Sequence, residues 1–146
     1  MHYIFIIYLF LASYIFAKVE IAIEGGDGWA KKLPTWKLPE GHIISKIFFG
    51  GRTVTGYHVW VNIFIIFILH SVYLFVPLQF SIETKILAFY MLFWVIEDFL
   101  WFVINPSYGL KNFKKEKIWW HEKRWFVFAP IEYFIFVPIA IILYLL

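Results

Sequence analysis

Four long runs of apolar residues limit what this chain can fold into more than any other feature. They cover residues 1–23, 57–80, 85–105 and 125–146. The hydrocarbon core of a bilayer is about 30 Å thick and is crossed by roughly 20 helical residues. The runs lack the alternation of apolar and polar residues that marks the strands of a membrane barrel. The sequence therefore predicts an all-α integral membrane protein, a single domain built as a four-transmembrane-helix bundle with structured cytoplasmic interfacial loops.

Composition supports a membrane location and excludes several functions. The chain is 62% hydrophobic and 16% charged, whereas soluble domains are about 45–50% apolar and about 25% charged. It has no cysteine, which excludes a thiol nucleophile, a disulfide framework and a zinc ribbon. The net charge is only +3 and the basic residues flank the apolar runs, so we expect no nucleic-acid partner. The expected partner is the lipid bilayer.

The distribution of basic residues predicts the orientation of the bundle. Two long connections carry nearly all of them, namely Lys18, Lys31, Lys32, Lys37, Lys46 and Arg52 in the first and Lys111, Lys114, Lys115, Lys117, Lys123 and Arg124 in the second. The connection between the second and third runs has only Lys85. By the positive-inside rule, both basic loops face the cytoplasm and both termini are non-cytoplasmic. The first run lacks a preceding basic segment and a clear cleavage site, which favours a retained span over a cleaved signal.

Two adjacent acids, Glu97 and Asp98, lie inside the third apolar run. An ionisable group in hydrocarbon costs roughly 2.5–3.5 kcal/mol on insertion scales and is rarely found there without a partner or a function. At about 100° per residue, one helix face collects the polar and tryptophan side chains of this run. That face consists of Trp94, Glu97, Asp98, Trp101 and Asn105. We expect it to point into the bundle, because the opposite face is apolar and suited to lipid.

Helical rise places several polar side chains at similar depth in the cytoplasmic half of the bundle. The sequence therefore predicts a buried carboxylate and histidine site that opens toward the cytoplasm. Catalytic roles are assigned to Glu97, Asp98, His121 and His58. Substrate contacts are assigned to Arg52, Asn62, Trp101, Asn105 and Glu132. In this interpretation the two asparagines orient the acids, and Arg52 with the loop lysines holds an anionic lipid head group.

The histidines do not form a pattern that predicts a metal or a haem. Helical metal sites place ligands three or four residues apart, as in a Glu-x-x-His pair, and the chain has no such pair. His58 and His70 are twelve residues apart and do not converge on one helix face. No metal ligand is therefore predicted, and the cofactor is left undetermined.

Four interpretations of the buried acids stay open. The first is a site that binds or acts on a lipid-phase substrate. The second is a small proton- or cation-coupled transporter, in which His70 continues a path outward. The third is a non-catalytic subunit of a larger membrane complex, and a homo-oligomer is also possible for so small a bundle. The fourth is purely structural, because buried polar bonds specify which helices pack together.

Short segments between the runs carry recognisable local signals. Residues 43–49 are apolar but too few to span, which suits an interfacial or re-entrant piece. Thr55 suits the N-cap of the second span, and Asn105 followed by Pro106 predicts the end of the third. Residues 50–52, Gly-Gly-Arg, form either a phosphate-binding turn or a plain turn with a topology-setting arginine.

Overall fold

Residues 2–146, which the computed structural model describes, fold into five α-helices joined by two long connections. The helices are α1 (His2–Glu24), α2 (Ile43–Phe48), α3 (Gly56–His70), α4 (Phe80–Ile104) and α5 (Ile131–Leu145). Two small antiparallel pairs complete the fold, β1 (Lys37–Leu38) with β2 (Val54–Thr55) and β3 (Trp125–Phe126) with β4 (Ala129–Pro130). Met1, the first residue of the first predicted span, lies outside the described residues.

Three stretches of helix are long and apolar enough to cross a membrane. They are Tyr3–Glu24 with 22 residues, Gly56–Leu74 with 19 and Phe80–Ile104 with 25. The second stretch is α3 extended by one 3-10 turn, Ser71–Leu74. Helix α5 is also apolar but has only 15 residues, which at about 1.5 Å per residue gives roughly 22 Å. The chain is therefore mostly helical with three candidate membrane spans and a shorter fourth apolar helix.

Three helices depart from the boundaries predicted by hydropathy, and a proline explains one of the differences. Helix α5 begins at Ile131, six residues after the predicted start, because Pro130 disfavours α conformation in the residue before it. The preceding residues instead form the β3–β4 hairpin. Regular helix α3 ends at His70, ahead of Pro77, although the predicted span ran to residue 80. Helix α4 begins at Phe80, five residues early, with Glu83 in its first turn, where an acid is favourable.

Two local predictions about helix ends are confirmed. The side chain of Thr55 accepts a hydrogen bond from the His58 amide at the start of α3, so Thr55 is its N-cap. Helix α4 ends at Ile104, and Asn105 leaves the helix with extended backbone ahead of Pro106. Residues 43–48 form the short helix α2.

Helix α4 is the centre of the bundle and packs mainly against α1 and α5. Small residues permit close approach on α1, where Ala17 and Ser13 are fully buried. The Ser13 hydroxyl donates to the Phe93 carbonyl across the α1–α4 contact, at 3.2 Å. At the end nearer the loops, Ala17 packs in a cluster with Trp101, Phe102, Ile118 and Trp120. Helix α3 packs more lightly on α4 and leaves most of its apolar side chains exposed.

Both long connections lie at the same end of the bundle and contact each other. The Lys123 ammonium, from the second connection, pairs with the Glu40 carboxylate of the first at 2.6 Å. The Trp119 indole N–H donates to the Asp27 carbonyl at 3.4 Å. We call this end of the molecule the loop end, and it includes the last turns of α1 and α4 and the first turns of α3 and α5.

Replacing Ala17 by leucine tests the close contact between α1 and α4. The added methylenes have no space beside Trp101 and Phe102, so we expect a loss of about 1–3 kcal/mol in unfolding free energy. Ala22→Leu is the matched control, because Ala22 lies on the same helix and is exposed. Thermal unfolding in detergent compares the two variants. Equal melting temperatures would contradict the packing described here.

Candidate functional site

The loop end contains a cavity of about 480 Å³ bounded by α1, α3, α4, α5 and both long connections. Its polar lining residues are Glu20, Glu24, Lys46, Arg52, His58, Asn62, Glu97, Asp98, His121, Arg124, Glu132 and Tyr133. Its aromatic lining residues include Trp29, Tyr90, Trp94, Trp101 and Trp120. The cavity thus brings together charged groups from four helices and two loops.

Among the site residues predicted from the sequence, all but Asn105 line this cavity. Asn105 is buried at the end of α4, where its amide donates to the Gly25 carbonyl at 2.9 Å and its oxygen accepts from the Ser107 amide at 2.9 Å. It therefore joins the ends of α4 and α1. The helical projection that placed it beside the acids does not apply, because Asn105 is no longer helical.

Asp98 has two hydrogen-bonding partners from different elements. His121 Nε2 lies 3.2 Å from Asp98 Oδ1, and the Tyr133 hydroxyl donates to Asp98 Oδ2 at 2.5 Å. The His121 side chain is 4% exposed and that of Asp98 is 26% exposed. The Asp98 carboxylate therefore orients the imidazole from one side, while part of the acid still faces the cavity. An acid and an imidazole in this arrangement can hold and transfer a proton.

Glu132, in the first turn of α5, binds one arginine from each long connection. Its Oε1 atom accepts from Arg52 Nη2 at 2.5 Å and from Arg124 Nε at 2.6 Å. The Arg52 guanidinium also lies over the Trp29 ring, 4.8 Å from its centre. Burial lowers the pKa of Arg52 from its ordinary value, and the Glu132 charge opposes that shift. The contact fixes both loops against α5.

His58 is held against one wall of the cavity by three contacts. Its Nδ1 atom lies 2.6 Å from the Thr55 hydroxyl, and its ring stacks on Trp29 with centres 4.1 Å apart. Its Nε2 atom lies 3.8 Å from Glu24 Oε1. The Ala30 amide donates to the same Glu24 atom at 2.5 Å. Trp29 and Ala30 adopt left-handed backbone, with φ near 50°, and this unusual turn carries the amide to the carboxylate.

Asn62 does not contact the acids that it was predicted to orient. Its amide donates to the His58 carbonyl at 2.7 Å, and its oxygen accepts from the Tyr90 hydroxyl. It thereby links α3 to α4 at the wall of the cavity. The predicted substrate contact of Asn62 stays a prediction, since the side chain does line the cavity.

Two acids on α1, Glu20 and Glu24, belong to the site although the sequence analysis passed over them. Glu20 is buried and its Oε1 atom accepts from the Tyr57 hydroxyl at 3.2 Å. A usable signal was the helical spacing of Leu9, Ser13, Ala17 and Glu20, which places Glu20 on the same face as two small residues. The structure buries that face. Arg124 and Tyr133 were also not predicted as site residues. They enter the site through contacts between elements distant in sequence, which residue spacing does not predict.

Six buried side-chain atoms on the described residues have no hydrogen-bonding partner in the protein. They are Arg52 Nε, Trp94 Nε1, Glu97 Oε1, Trp101 Nε1, His121 Nδ1 and Glu132 Oε2. All six belong to residues that line the cavity. Buried polar atoms in native proteins nearly always have partners, so their concentration here is typical of a place that receives a polar ligand or water.

His70, which the transporter interpretation placed on an outward path, lies at the opposite end of the bundle. Its Nε2 atom is 3.1 Å from Glu83 Oε1, and the Tyr73 hydroxyl donates to Glu83 at 2.9 Å. This group is half-exposed and separate from the cavity lining. Among the side chains that the structure describes, those of residues 3–146, no three histidine, aspartate or glutamate groups lie close enough to hold a metal ion.

The side chains that line the cavity allow acid–base chemistry and ion pairing. The described lining has no serine or threonine, and the chain has no cysteine. A serine, threonine or cysteine nucleophile is thus missing from the described lining. A comparison with known proteins finds no matching family model, no matching curated protein and no matching solved structure. The interpretation of the site accordingly depends on its own geometry.

Gly50→Ala tests how Arg124 reaches Glu132. A Cβ at Gly50 would lie 2.5 Å from Arg124 Nε, whereas a Cβ at Gly51 would meet nothing within 4 Å. Both glycines have positive φ, so alanine costs roughly 1–2 kcal/mol in backbone strain at either position. We expect Gly50→Ala to lower the melting temperature more than Gly51→Ala, because only the first displaces Arg124. Identical destabilisation would refute that close approach.

Proposed function

We propose that this chain is a multi-pass integral membrane protein whose loop-end cavity binds the head group of an amphiphilic, lipid-phase substrate. The observation that carries this proposal is a charged, buried cavity whose wall also includes exposed apolar side chains. Ile47 and Phe48 of α2 line the cavity and are 64% and 74% exposed. Residues that are both exposed and part of the lining mark a mouth, and this mouth is apolar.

An amphiphile matches the change in polarity from the mouth to the interior. Its acyl chains would remain against the apolar side chains of α2 and of α5, where Ile135 and Phe136 also line the cavity. Its head group would meet the ionic groups farther inside. A volume of about 480 Å³ suits a head group or a small ligand, since ligand cavities are typically about 300–1,000 Å³.

In this proposal Asp98 and His121 form the acid–base pair of a reaction at the head group. Asp98 binds His121 Nε2 and so leaves Nδ1, which has no partner in the protein, to accept or donate a proton. The missing serine and cysteine favour a reaction in which water or a substrate hydroxyl is the nucleophile. Tyr133 fixes the second Asp98 oxygen and would keep the carboxylate aligned.

We further propose that the loop end faces the cytoplasm and that α5 is the fourth span. The two connections that share this end contain all lysines and arginines except Lys18 of α1 and Lys85 of α4, which supports the positive-inside orientation. Helix α5 is short, but the hairpin before it exposes Phe126, Val127 and Phe128. These side chains would extend the apolar surface toward the membrane interface. The exposed apolar face of α3 would contact lipid or a neighbouring subunit.

Untargeted lipid analysis tests the catalytic part of the proposal. Purified protein is incubated in vesicles made from a total lipid extract, and lipid species are followed over time by mass spectrometry. We expect the wild type to convert at least one species, and Asp98→Asn or His121→Gln to slow that conversion about 100-fold or more, since general acid–base catalysis contributes about 10²–10⁴-fold.

Glu83→Gln is the matched control for these variants. It changes an acid on the same helix that lies at the opposite end of the bundle and pairs with His70. The control should retain full conversion. An unchanged lipid profile with wild-type protein, or equal conversion by Asp98→Asn, would rule out this acid–base role.

A proton or cation relay is the second candidate, and the three acids Glu20, Glu24 and Glu97 favour it. They line the same cavity on α1 and α4, and Glu97 is buried there beside Asp98 in the sequence. Adjacent acids in an apolar bundle are typical of proton pathways. In this function the acids would exchange protons or hold a cation in turn.

Flux measurements in liposomes test the relay. With an imposed pH or cation gradient, we expect the wild type to dissipate the gradient and Glu97→Gln to abolish that flux, because an amide neither titrates nor balances a cation. Glu83→Gln again serves as the control and should retain flux. Wild-type vesicles that are no leakier than protein-free vesicles would exclude this function.

A further inference from the structure

The cavity has a basic side and an acidic side, and each has a buried polar atom without a partner among the described residues. On the basic side, Glu132 alone serves two guanidinium groups, those of Arg52 and Arg124. The two guanidinium groups thus share one ion-pair partner, the Oε1 atom of Glu132. Arg52 is largely buried, and its Nε atom has no partner in the protein. A guanidinium with a free donor suits the oxygen atoms of a phosphate group.

The acidic side is formed by Glu97 with Glu20 and Glu24. Glu97 is 2% exposed, and its Oε1 atom has no hydrogen-bonding partner in the protein. Glu20, Glu24 and Asp98, which are also acids, line the same cavity. Among the described residues, the one ion-pair contact of Glu20, Glu24 and Glu97 is the distant one between Glu24 and His58, at 3.8 Å. An ionised Glu97 would therefore have no paired cation in the described part of the chain, and a bound ligand would supply one.

Aromatic rings around Glu97 add a second reason to expect a cation there. Trp94 and Trp101 precede and follow Glu97 by three and four residues, so they share its helix face, and both line the cavity. Indole rings attract ammonium groups through their π faces. Asp98, next to Glu97 on α4, lines the same cavity and is held there by His121 and Tyr133.

We infer that the head group bound in the cavity is zwitterionic, with a phosphate anion against Arg52 and Arg124 and an ammonium cation against Glu97. This inference rests on the proposed function and specifies its substrate class. A purely anionic head group, as the basic loops alone suggested, would leave the acids unmatched. A purely cationic one would leave the free donor of Arg52 unmatched. A phosphate and an ammonium joined by a short linker match both.

Binding of defined lipids to the full chain in detergent tests the inference. The probes are short-chain phosphatidylethanolamine, its N-acetyl derivative and phosphatidylglycerol, each titrated and followed by native mass spectrometry. All three carry the phosphate, but only the first carries an ammonium group. We expect phosphatidylethanolamine to bind about tenfold or more tightly than the other two, because only it satisfies Glu97.

The variant pair Glu97→Gln and Glu83→Gln tests whether Glu97 is responsible for the preference for phosphatidylethanolamine. We expect Glu97→Gln to lose the preference for phosphatidylethanolamine over its N-acetyl derivative, and Glu83→Gln, on the same helix but outside the cavity, to keep it. If Glu97→Gln fails to fold, the ranking of the three lipids by wild-type protein still decides the question.

The outcomes separate this inference from the function on which it rests. Equal binding of the three lipids would overturn the zwitterionic head group and leave lipid binding intact. Binding of none of them would overturn both. Free phosphoethanolamine serves as a fourth probe. If it binds as tightly as the intact lipid, the zwitterionic chemistry is supported and the ligand is a soluble compound.

Discussion

The Glu132 carboxylate is the contact on which the loop end depends. It joins Arg52 from the first long connection and Arg124 from the second to the first turn of α5. An isolated charge is costly to bury in an apolar bundle. Each of these three charged groups is stable there because its partners lower that cost. The close approach of Arg124 requires a glycine at position 50. One carboxylate thus fixes two loops, the start of a helix and the basic wall of the cavity.

Helical periodicity was sufficient to predict the part of the site that lies within α4. Trp94, Glu97, Asp98 and Trp101 share a helix face, and all four line the cavity because α4 stays regular through these residues. The same projection was wrong for Asn105, where the helix has ended. The three long apolar helices, which are candidate spans, followed from hydropathy for a similar reason, since length and composition determine them. The start of α5 did not, because Pro130 and a hairpin interrupt the apolar run.

Helical periodicity could not predict contacts between elements that are distant in sequence. The sequence offered Glu97 and Asp98 as an equivalent pair, but the fold gives them different surroundings. Asp98 has His121 and Tyr133 as partners, whereas the Oε1 atom of Glu97 has none among the described residues. The difference arises because His121 of the second connection and Tyr133 of α5 both reach Asp98. Both residues are more than twenty positions from Asp98 in the sequence, so helical spacing could not pair them with it.

The exposed apolar side chains of α2 have a consequence for how ligand affinity must be expressed. Ile47 and Phe48 lie at the mouth of the cavity and face outward. Under the proposed function, a ligand that enters past them would first dissolve in the bilayer, where partitioning would set its local concentration. Occupancy would then follow the mole fraction of the ligand among membrane lipids and be nearly independent of its concentration in water. Diluting the vesicles at constant lipid composition would leave the bound fraction unchanged, as expected of a receptor whose solvent is the membrane.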